Sequence, residues 1–149
     1  MGRRLTKDMW GFAVGNSVRR TRAALPGPRS RVVLIVDDDP IVREALARGL
    51  DGDTYTTVHA ESALAALELM RSVQVDAVIA DFEMPVMNGG RFLAYVRDMF
   101  PHCARLMMSG RRRSSHEALR ETGLEPGFVL EKSIAPEELR RLLALVLAR

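Results

Sequence analysis

The sequence predicts an α/β fold in which a doubly wound, five-stranded parallel sheet carries helices on both faces. Short runs of β-branched and aliphatic residues alternate with helical patterns, and five such strand–helix units follow one another at a spacing of about twenty residues. Apolar runs without a polar face are typical of strands buried between two layers of helices. The units share no internal sequence repeat, so a leucine-rich solenoid, which also alternates, is excluded.

The first predicted strand, Val32–Val36, leads directly into Asp37, Asp38 and Asp39. Pro40 suits the first turn of a helix and Asp39 suits its N-cap. Three adjacent carboxylates at the end of a buried strand repel one another unless one takes up a proton or a cation lies between them. Oxygen ligands at this density suit Mg²⁺. A helix N-terminus that favours acidic residues through its dipole would explain one or two of them, so both interpretations stay open at this point.

The next elements are predicted from periodicity and composition. The helix after Pro40 is expected to end near 51–53, and the apolar face assigned to it consists of Ile41, Ala45, Leu46 and Leu50. Arg43, Glu44 and Arg48 are expected on its other faces. Residues 55–59 are a short β-branched strand, and 61–72 are rich in alanine and leucine, which favour a helix. The apolar run over 75–80 predicts another buried strand.

The second half of the chain continues the alternation. A loop with turn residues leads into a helix over about 90–100, and 104–108 predict the fourth strand. A polar helix that closes near Gly123 separates this strand from the last one, over 127–130. The final helix begins at Pro136 and has an apolar stripe formed by Leu139, Leu142, Leu143 and Val146.

Polar side chains follow the predicted strands at their carboxyl ends, which is where parallel α/β sheets bind ligands. The aspartate triplet follows strand one, Asp81 follows strand three, Ser109 follows strand four and Lys132 follows strand five. If strands one and three are neighbours, about 4.8 Å apart, their carboxylates share one pocket. The set then predicts an acidic metal site with one nucleophilic aspartate and a hydroxyl and an ammonium beside it, which suits phosphoryl transfer.

Composition indicates one domain with an unevenly distributed charge. The chain has 149 residues, 47% of them hydrophobic, which is enough for one core. Its net charge is +3, yet residues 1–30 carry seven arginines and lysines against one aspartate, so 31–149 are acidic. The single cysteine, Cys103, excludes an internal disulfide framework and fits a reducing, cytoplasmic compartment. No apolar run approaches the about 20 residues that a membrane span needs.

Residues 1–30 are expected to form a flexible basic extension. They contain Pro26-Gly27-Pro28 and show no sustained hydrophobic period. The short apolar run over 9–15 is similar to a signal-peptide core only superficially, because it contains glycines and is followed by arginines rather than by a small-residue cleavage site. The segment is therefore interpreted as a solvated arm outside the folded domain.

Residues 31–149 resemble the receiver domain of bacterial two-component response regulators. Four motifs in the order and at the spacing of that family carry the resemblance, and they lie at 34–40 (Leu-Ile-Val-Asp-Asp-Asp-Pro), 81–89 (Asp-Phe-Glu-Met-Pro-Val-Met-Asn-Gly), 107–110 (Met-Met-Ser-Gly) and 130–132 (Leu-Glu-Lys). The resemblance implies a flavodoxin-like (βα)5 domain with strand order 2-1-3-4-5, similar to the stand-alone regulators of chemotaxis.

The resemblance also implies roles for the residues after the strands. Asp81 would be the phosphoacceptor, taking a phosphoryl group from a sensor histidine kinase or a phosphotransfer protein. The implied Mg²⁺ ligands are the carboxylates of Asp37, Asp38 and Asp81 and the backbone carbonyl of Glu83. Lys132 would pair with a phosphoryl oxygen, and Ser109 would hydrogen-bond another and transmit the change. Such a protein is a signalling switch rather than an enzyme, since it catalyses only its own phosphorylation and dephosphorylation.

The chain departs from the family pattern at three places. Ser133 follows the lysine where the family usually has a proline, often in a cis bond. Because a cis bond to a non-proline residue costs about 2.5–4 kcal/mol, either this loop is strained or Lys132 is placed differently. Val129 stands where the family has an aromatic switch residue, and period two sends Phe128 to the opposite face. Arg111 flanks the site opposite Glu83, and a pair between them would screen the phosphoryl group from water and lengthen its lifetime.

Other functions remain open from the sequence. A pseudo-receiver that never takes up phosphate would keep the fold and act as an interaction module. The basic arm could contact nucleic acid, although a solvated segment agrees better with its composition. A phosphatase of similar fold would need a further acid or base near the nucleophile, and none is evident. The chain stops after the last helix, which predicts a stand-alone receiver that acts on an effector by protein contact. Leu145 and Leu147, beyond the apolar stripe, offer a surface for a homodimer.

Overall fold

The computed structural model of the protein describes residues 30–110 and 128–149. The strands in these ranges are β1 (Arg31–Val36), β2 (Tyr55–Ala60), β3 (Ala77–Asp81), β4 (Ala104–Ser109) and β5 (Val129–Glu131). The helices in these ranges are α1 (Pro40–Leu50), α2 (Ala63–Ser72), α3 (Gly89–Met99) and α4 (Pro136–Leu147). The predicted helix that closes near Gly123 and the predicted arm, apart from Ser30, lie outside the described residues.

The five strands form one parallel sheet in the order β2-β1-β3-β4-β5, which confirms the predicted fold class. In the register, Val36 at the end of β1 lies beside Ala80 of β3, and Asp81 lies beside Met108 of β4. The chain passes from β1 to β2 on one side and returns to β3 on the other. The order therefore reverses between β1 and β3, and a crevice at their carboxyl ends follows from this topology.

Each face of the sheet packs against helices because β1 is apolar on both sides. Val32, Leu34 and Val36 belong to one core together with buried residues of α2 and α3. Val33 and Ile35 belong to the other core, with α1 and α4. The alternation along one strand thus builds both cores, and the hydrophobic burial of these layers fixes the ends of the strands in place.

Three helices begin at side-chain caps. The Asp39 carboxylate accepts the Ile41 N–H at 2.9 Å and caps α1, as predicted. Ser62 caps α2, so this helix begins two residues later than its alanine and leucine content predicts. Asn88 accepts the Arg91 N–H at 2.9 Å and caps α3. The cap of α3 matters for the site, since it ends the loop that follows Asp81.

The predicted buried face of α1 is wrong in two of its four positions. Leu46 and Leu50 are buried, but Ile41 is 73% exposed and Ala45 is exposed as well. The side chain that completes the buried face is Arg43, which is only 8% exposed. Because 43, 46, 47 and 50 follow the i, i+3, i+4, i+7 spacing, this face is the one that the helical period selects.

Within the part of the chain that the structure describes, no helix has the length and apolar character needed to cross a membrane.

Candidate functional site

The candidate site lies at the carboxyl ends of β1, β3 and β5. Asp37 follows the last residue of β1, Asp81 is the last residue of β3, and Lys132 follows β5. Ser109 ends β4, beside β3, and is buried. Parallel strands that end at one edge bring these side chains to a common crevice. The structure therefore places the predicted residues of strands one, three and five together, although they lie far apart in the sequence.

Three carboxylates form a compact cluster. Oxygen atoms of Asp37, Asp38 and Asp81 all lie within 4.8 Å of one another. Asp37 and Asp81 are buried, whereas Asp38 is exposed at the mouth of the crevice. The pKa of Asp37 is raised to about 6, mainly by burial and also by the charge of Asp81, against the lowering effect of the backbone hydrogen bond from Asp39. The carboxylates of the cluster repel one another, and a nearby positive charge would stabilise their ionised forms.

Lys132 supplies one positive charge to this cluster. Its Nζ lies 2.9 Å from Oδ2 of Asp81 and 3.7 Å from Oδ2 of Asp37. Burial by itself lowers the pKa of Lys132, but the hydrogen bond to Asp81 and the charge of Asp37 outweigh it and raise the pKa. Lys132 therefore stays protonated and bridges the ends of β3 and β1 from the turn after β5.

Asp37 is held at three points, two on its backbone and one on its side chain. The Asp37 N–H donates to the Ala60 carbonyl at 3.2 Å, and Oδ1 of Asp37 accepts the Asp39 N–H at 2.9 Å. Nη1 of Arg43 donates to the Asp37 carbonyl. The remaining oxygen, Oδ2, is buried without a hydrogen-bond donor among the described residues, and its nearest cation there is Lys132. A buried carboxylate oxygen that lacks a donor is expensive unless another ligand meets it.

These donors fit a small, hard divalent cation. The cluster offers only oxygen atoms, it includes the orphaned Oδ2 of Asp37, and its like charges repel in the absence of a cation. Asp39 takes no part, because its carboxylate is used as the cap of α1. The aspartate triplet thus divides into two candidate ligands and one N-cap.

The loop after β3 is folded tightly against Asp81. Oδ1 of Asp81 accepts the Glu83 N–H at 3.2 Å, and the Gly89 N–H donates to the Phe82 carbonyl at 2.9 Å. A Cβ on Gly89 would lie 2.1 Å from the Asp81 carbonyl oxygen, so only glycine fits there. Val86, at the tip of the loop, has a φ of 71° and is 94% exposed. A β-branched residue in this region is strained, and strain of this kind collects at functional loops.

The three departures from the expected motif have different outcomes. No cis peptide bond occurs among the described residues, so the Lys132–Ser133 bond is trans while Lys132 contacts Asp81. Val129 packs on the core of α2 and α3, whereas Phe128 packs on the core of α1 and α4, as period two predicts. Arg111 lies outside the described residues.

Arg43 is the residue of the site that sequence reasoning missed. It was expected on an exposed face of α1, yet its buried guanidinium contacts the peptide of a candidate metal ligand. The signal was present in the helical spacing, because Arg43 lies one turn before Leu46 and Ala47 on the buried face. A charged residue at an apolar position of this kind indicates a specific buried partner.

Comparison with protein families gives a match to the response regulator receiver domain over residues 33–144. Response regulator MprA of Mycobacterium ulcerans is 35% identical over 109 residues, covering 72% of this chain and 46% of the relative. A protein-glutamate methylesterase/protein-glutamine glutaminase of Cereibacter sphaeroides is 38% identical over 118 residues, covering 78% of this chain and 31% of the relative. The chain thus spans less than half the length of these curated relatives.

Solved structures give the same result for the fold. The signal receiver domain of an HD domain-containing protein from Pseudomonas fluorescens superposes with a TM-score of 0.73 at 28% identity, covering 80% of this chain and 96% of that one. The chemotaxis protein CheY4 of Vibrio cholerae superposes with a TM-score of 0.70 at 27% identity, covering 78% of this chain and 98% of that one.

Proposed function

Because the chain belongs to the response regulator receiver domain family, we propose that it is a phosphorylation switch in which Asp81 is the phosphoacceptor. The observation that carries the proposal is the position of the buried Asp81 carboxylate. It contacts the Lys132 ammonium and lies in one cluster with the carboxylates of Asp37 and Asp38. A nucleophilic carboxylate beside a cation site and an ammonium is the arrangement that phosphoryl transfer requires. We propose further that residues 31–149 form this receiver unit and that 1–30 are an extension to it.

In the proposed reaction, a carboxylate oxygen of Asp81 attacks the phosphorus of a phosphohistidine on a kinase or phosphotransfer protein. The new oxygen–phosphorus bond forms as the phosphorus–nitrogen bond breaks, and the histidine leaves with its electron pair. Oδ1 of Asp81 is engaged by the Glu83 N–H, and Oδ2 is engaged by Lys132. The geometry favours attack by Oδ2. This oxygen would give up its hydrogen bond to Lys132 as it bonds to phosphorus, and the lysine ammonium would then neutralise the charge of the transferred phosphoryl group.

The negative charge of the phosphoryl group would be neutralised by a cation held in the acidic cluster and by donor groups of the chain. Mg²⁺, when bound, would neutralise the phosphoryl oxygens, and its ligands would be Asp37, Asp38, Asp81 and the backbone carbonyl of Glu83. The Lys132 ammonium would hold a second phosphoryl oxygen. The Ser109 hydroxyl would hydrogen-bond a third from the end of β4, where it is buried beside β3.

Signal output would follow from the movement of Ser109 toward the phosphoryl group and would reach an effector by protein contact. An aromatic rotamer change cannot accompany it at Val129, so the response would pass through the backbone of β4 and β5, which are paired at Met107 and Val129. Arg111, outside the described residues, would pair with Glu83 and slow hydrolysis. If Arg111→Ala dephosphorylates at the wild-type rate, that part of the proposal is wrong.

Incubation with a radiolabelled small phosphodonor, with and without Mg²⁺, tests the proposal. We expect Mg²⁺-dependent label on the wild type and none on Asp81→Asn, which keeps the shape of the site and loses the nucleophile. Asp39→Asn is the matched control, because asparagine also caps a helix and this position lies outside the cluster. Label on Asp81→Asn would overturn the assignment, and absence of label on the wild type would indicate a pseudo-receiver that acts by contact alone.

A further inference from the structure

Arg43 is a buried cation whose partner is a backbone carbonyl. It is the fourth residue of α1, is 8% exposed, and directs Nη1 to the carbonyl oxygen of Asp37. None of the ion pairs between described residues includes it. A guanidinium taken out of water without a carboxylate partner is costly to the fold. Because the other buried residues of α1 are aliphatic, an aliphatic side chain would be expected at this position as well. Packing alone therefore does not explain why an arginine is present.

The contact completes a three-point support of one residue, Asp37. The Asp37 N–H is held by β2 through Ala60, and the Asp37 side chain is held by the Asp39 N–H through Oδ1. Arg43 holds the carbonyl from α1. With both ends of the residue and one carboxylate oxygen fixed, Oδ2 is left as the free oxygen, and it lies in the crevice near Lys132.

We propose that Arg43 is a positioning residue for the cation site, which fixes the Asp37 peptide so that Oδ2 faces the crevice as a preformed ligand. The inference rests on the proposed function, since it assigns Asp37 as a ligand of Mg²⁺. Groups that orient metal ligands from behind contribute to metal affinity although they never touch the ion. Arg43 stands in that relation to Asp37, because it contacts the main chain of the ligand and not its free oxygen.

Two effects of removing Arg43 have opposite signs, which makes the inference testable. If the guanidinium acted only as a nearby positive charge, its removal would strengthen Mg²⁺ binding, because like charges repel. If it acts by positioning, its removal releases the Asp37 carbonyl, lets the turn relax and weakens binding. Outer-shell substitutions weaken metal binding by about 10–100-fold, and for a cation held largely by water and carboxylates we expect about tenfold.

The experiment is a titration of the ¹⁵N-labelled full chain with MgCl₂ alone, followed through the backbone amide resonances of Asp38 and Asp39. The variant Arg43→Met removes the donor and the charge and keeps the length of the stem. Arg48→Met makes the same change at an exposed position of α1 and is the matched control. Arg43→Lys restores a charge and a donor. Thermal unfolding of each variant sets a temperature at which all are folded.

We expect Arg43→Met to bind Mg²⁺ about tenfold more weakly, Arg48→Met to bind as the wild type does, and Arg43→Lys to recover most of the loss. Should Arg43→Met be unfolded at every usable temperature, Arg43→Gln replaces it with the same expected loss, because its shorter side chain removes the charge and the reach to Asp37. Unchanged or tighter Mg²⁺ binding by the folded variant overturns the inference alone. A wild type that shows no Mg²⁺-dependent shifts at Asp38 overturns the metal site of the proposed function and the inference with it.

Discussion

The two ends of the sheet use aspartates in opposite ways. At the amino end, Asp76 precedes β3, and its Oδ2 accepts the Val32 N–H at 2.7 Å while Oδ1 lies 3.5 Å from Arg31. At the carboxyl end, Asp37 accepts one backbone N–H and leaves Oδ2 buried without a hydrogen-bond donor in the described part of the chain. Both carboxylates are bonded to backbone N–H groups, but only that of Asp76 has a hydrogen-bond donor on each of its two oxygens.

This difference separates an acid that stabilises the fold from an acid that is kept for a ligand. The Asp76 carboxylate ties the first residues of β1 to the residue that precedes β3, and its partners are a backbone amide and an exposed arginine. The Asp37 carboxylate is desolvated and faces a second carboxylate, so its charge opposes folding until a cation or Lys132 compensates it. The carboxyl end of the sheet therefore bears an electrostatic cost that the bonded Asp76 carboxylate does not impose at the amino end.

Gly89→Ala is expected to have the largest effect on stability, because it breaks the close approach on which the carboxyl end depends. The added Cβ would overlap the Asp81 carbonyl oxygen at 2.1 Å, and the atoms it meets are backbone, which cannot turn aside. We expect a loss of about 3 kcal/mol in the free energy of unfolding, measured by urea denaturation.

Gly110→Ala is the control for that substitution, since a Cβ at this position meets no atom of the described residues within 4 Å. We expect its effect to stay below about 1 kcal/mol. Equal stability of Gly89→Ala and the wild type would show that the loop after β3 can move away from Asp81. The tight packing of the carboxyl end would then be absent in solution.

Acidification tests a buried polar group behind the site. His59 is 2% exposed on β2, and its pKa is lowered to about 4, mainly by burial and also by the nearby Arg43 guanidinium, against an opposing effect of Glu44. The folded pKa lies below the unfolded value, so the unfolded state binds the proton first. His59 therefore lowers stability as the pH falls from about 6.5 toward 4, by roughly 3 kcal/mol at the limit.

The measurement is the free energy of unfolding against pH for the wild type, His59→Gln and the exposed control His102→Gln. Asp37 has a raised pKa and changes stability in the opposite direction, but it is present in all three chains and cancels in the differences. We expect His59→Gln to lose the decline that the wild type and His102→Gln share. Parallel curves for all three chains would contradict the burial of a neutral imidazole at this position.

The sequence predicts the carboxyl end of the sheet better than the amino end. The strands follow from apolar runs and from where polar residues interrupt them. Their order was implied only by the resemblance to the receiver family, and the meeting of Asp37 and Asp81 was expected on the condition that strands one and three are neighbours. The burial of Arg43 did not follow, because an arginine in a helix is usually solvated and only its tertiary partner, the Asp37 carbonyl, explains it.

The boundaries of elements and the bonds of Asp76 were also beyond the sequence. The apolar run over 75–80 contains one aspartate, and its pattern indicates neither that the strand begins at Ala77 nor that the carboxylate accepts a β1 amide. Such contacts depend on the register between strands, which a single sequence leaves undetermined.

A paired substitution tests the comparison itself, with smaller effects of opposite sign. Asp76→Asn replaces a charged acceptor by a neutral one at the amino end, so we expect it to lower the free energy of unfolding by about 1 kcal/mol. Asp37→Asn removes a desolvated charge that faces Asp81, so without Mg²⁺ we expect it to raise that free energy by about 1 kcal/mol. With Mg²⁺ we expect the wild type to become more stable than Asp37→Asn, because the wild type gains stability from the bound ion and the variant does not.

These differences are measured by urea denaturation of the three chains, without Mg²⁺ and with Mg²⁺ at about 10 times its dissociation constant. At that concentration the bound ion stabilises the wild type by about 1.4 kcal/mol. Asp76→Asn should gain from Mg²⁺ as much as the wild type does, since its carboxylate lies at the far end of the sheet. If Asp37→Asn instead destabilises the chain in the absence of Mg²⁺, Asp37 is a structural acid like Asp76. An unpartnered Oδ2 would then be no sign of a ligand site, and the two ends of the sheet would differ only in charge.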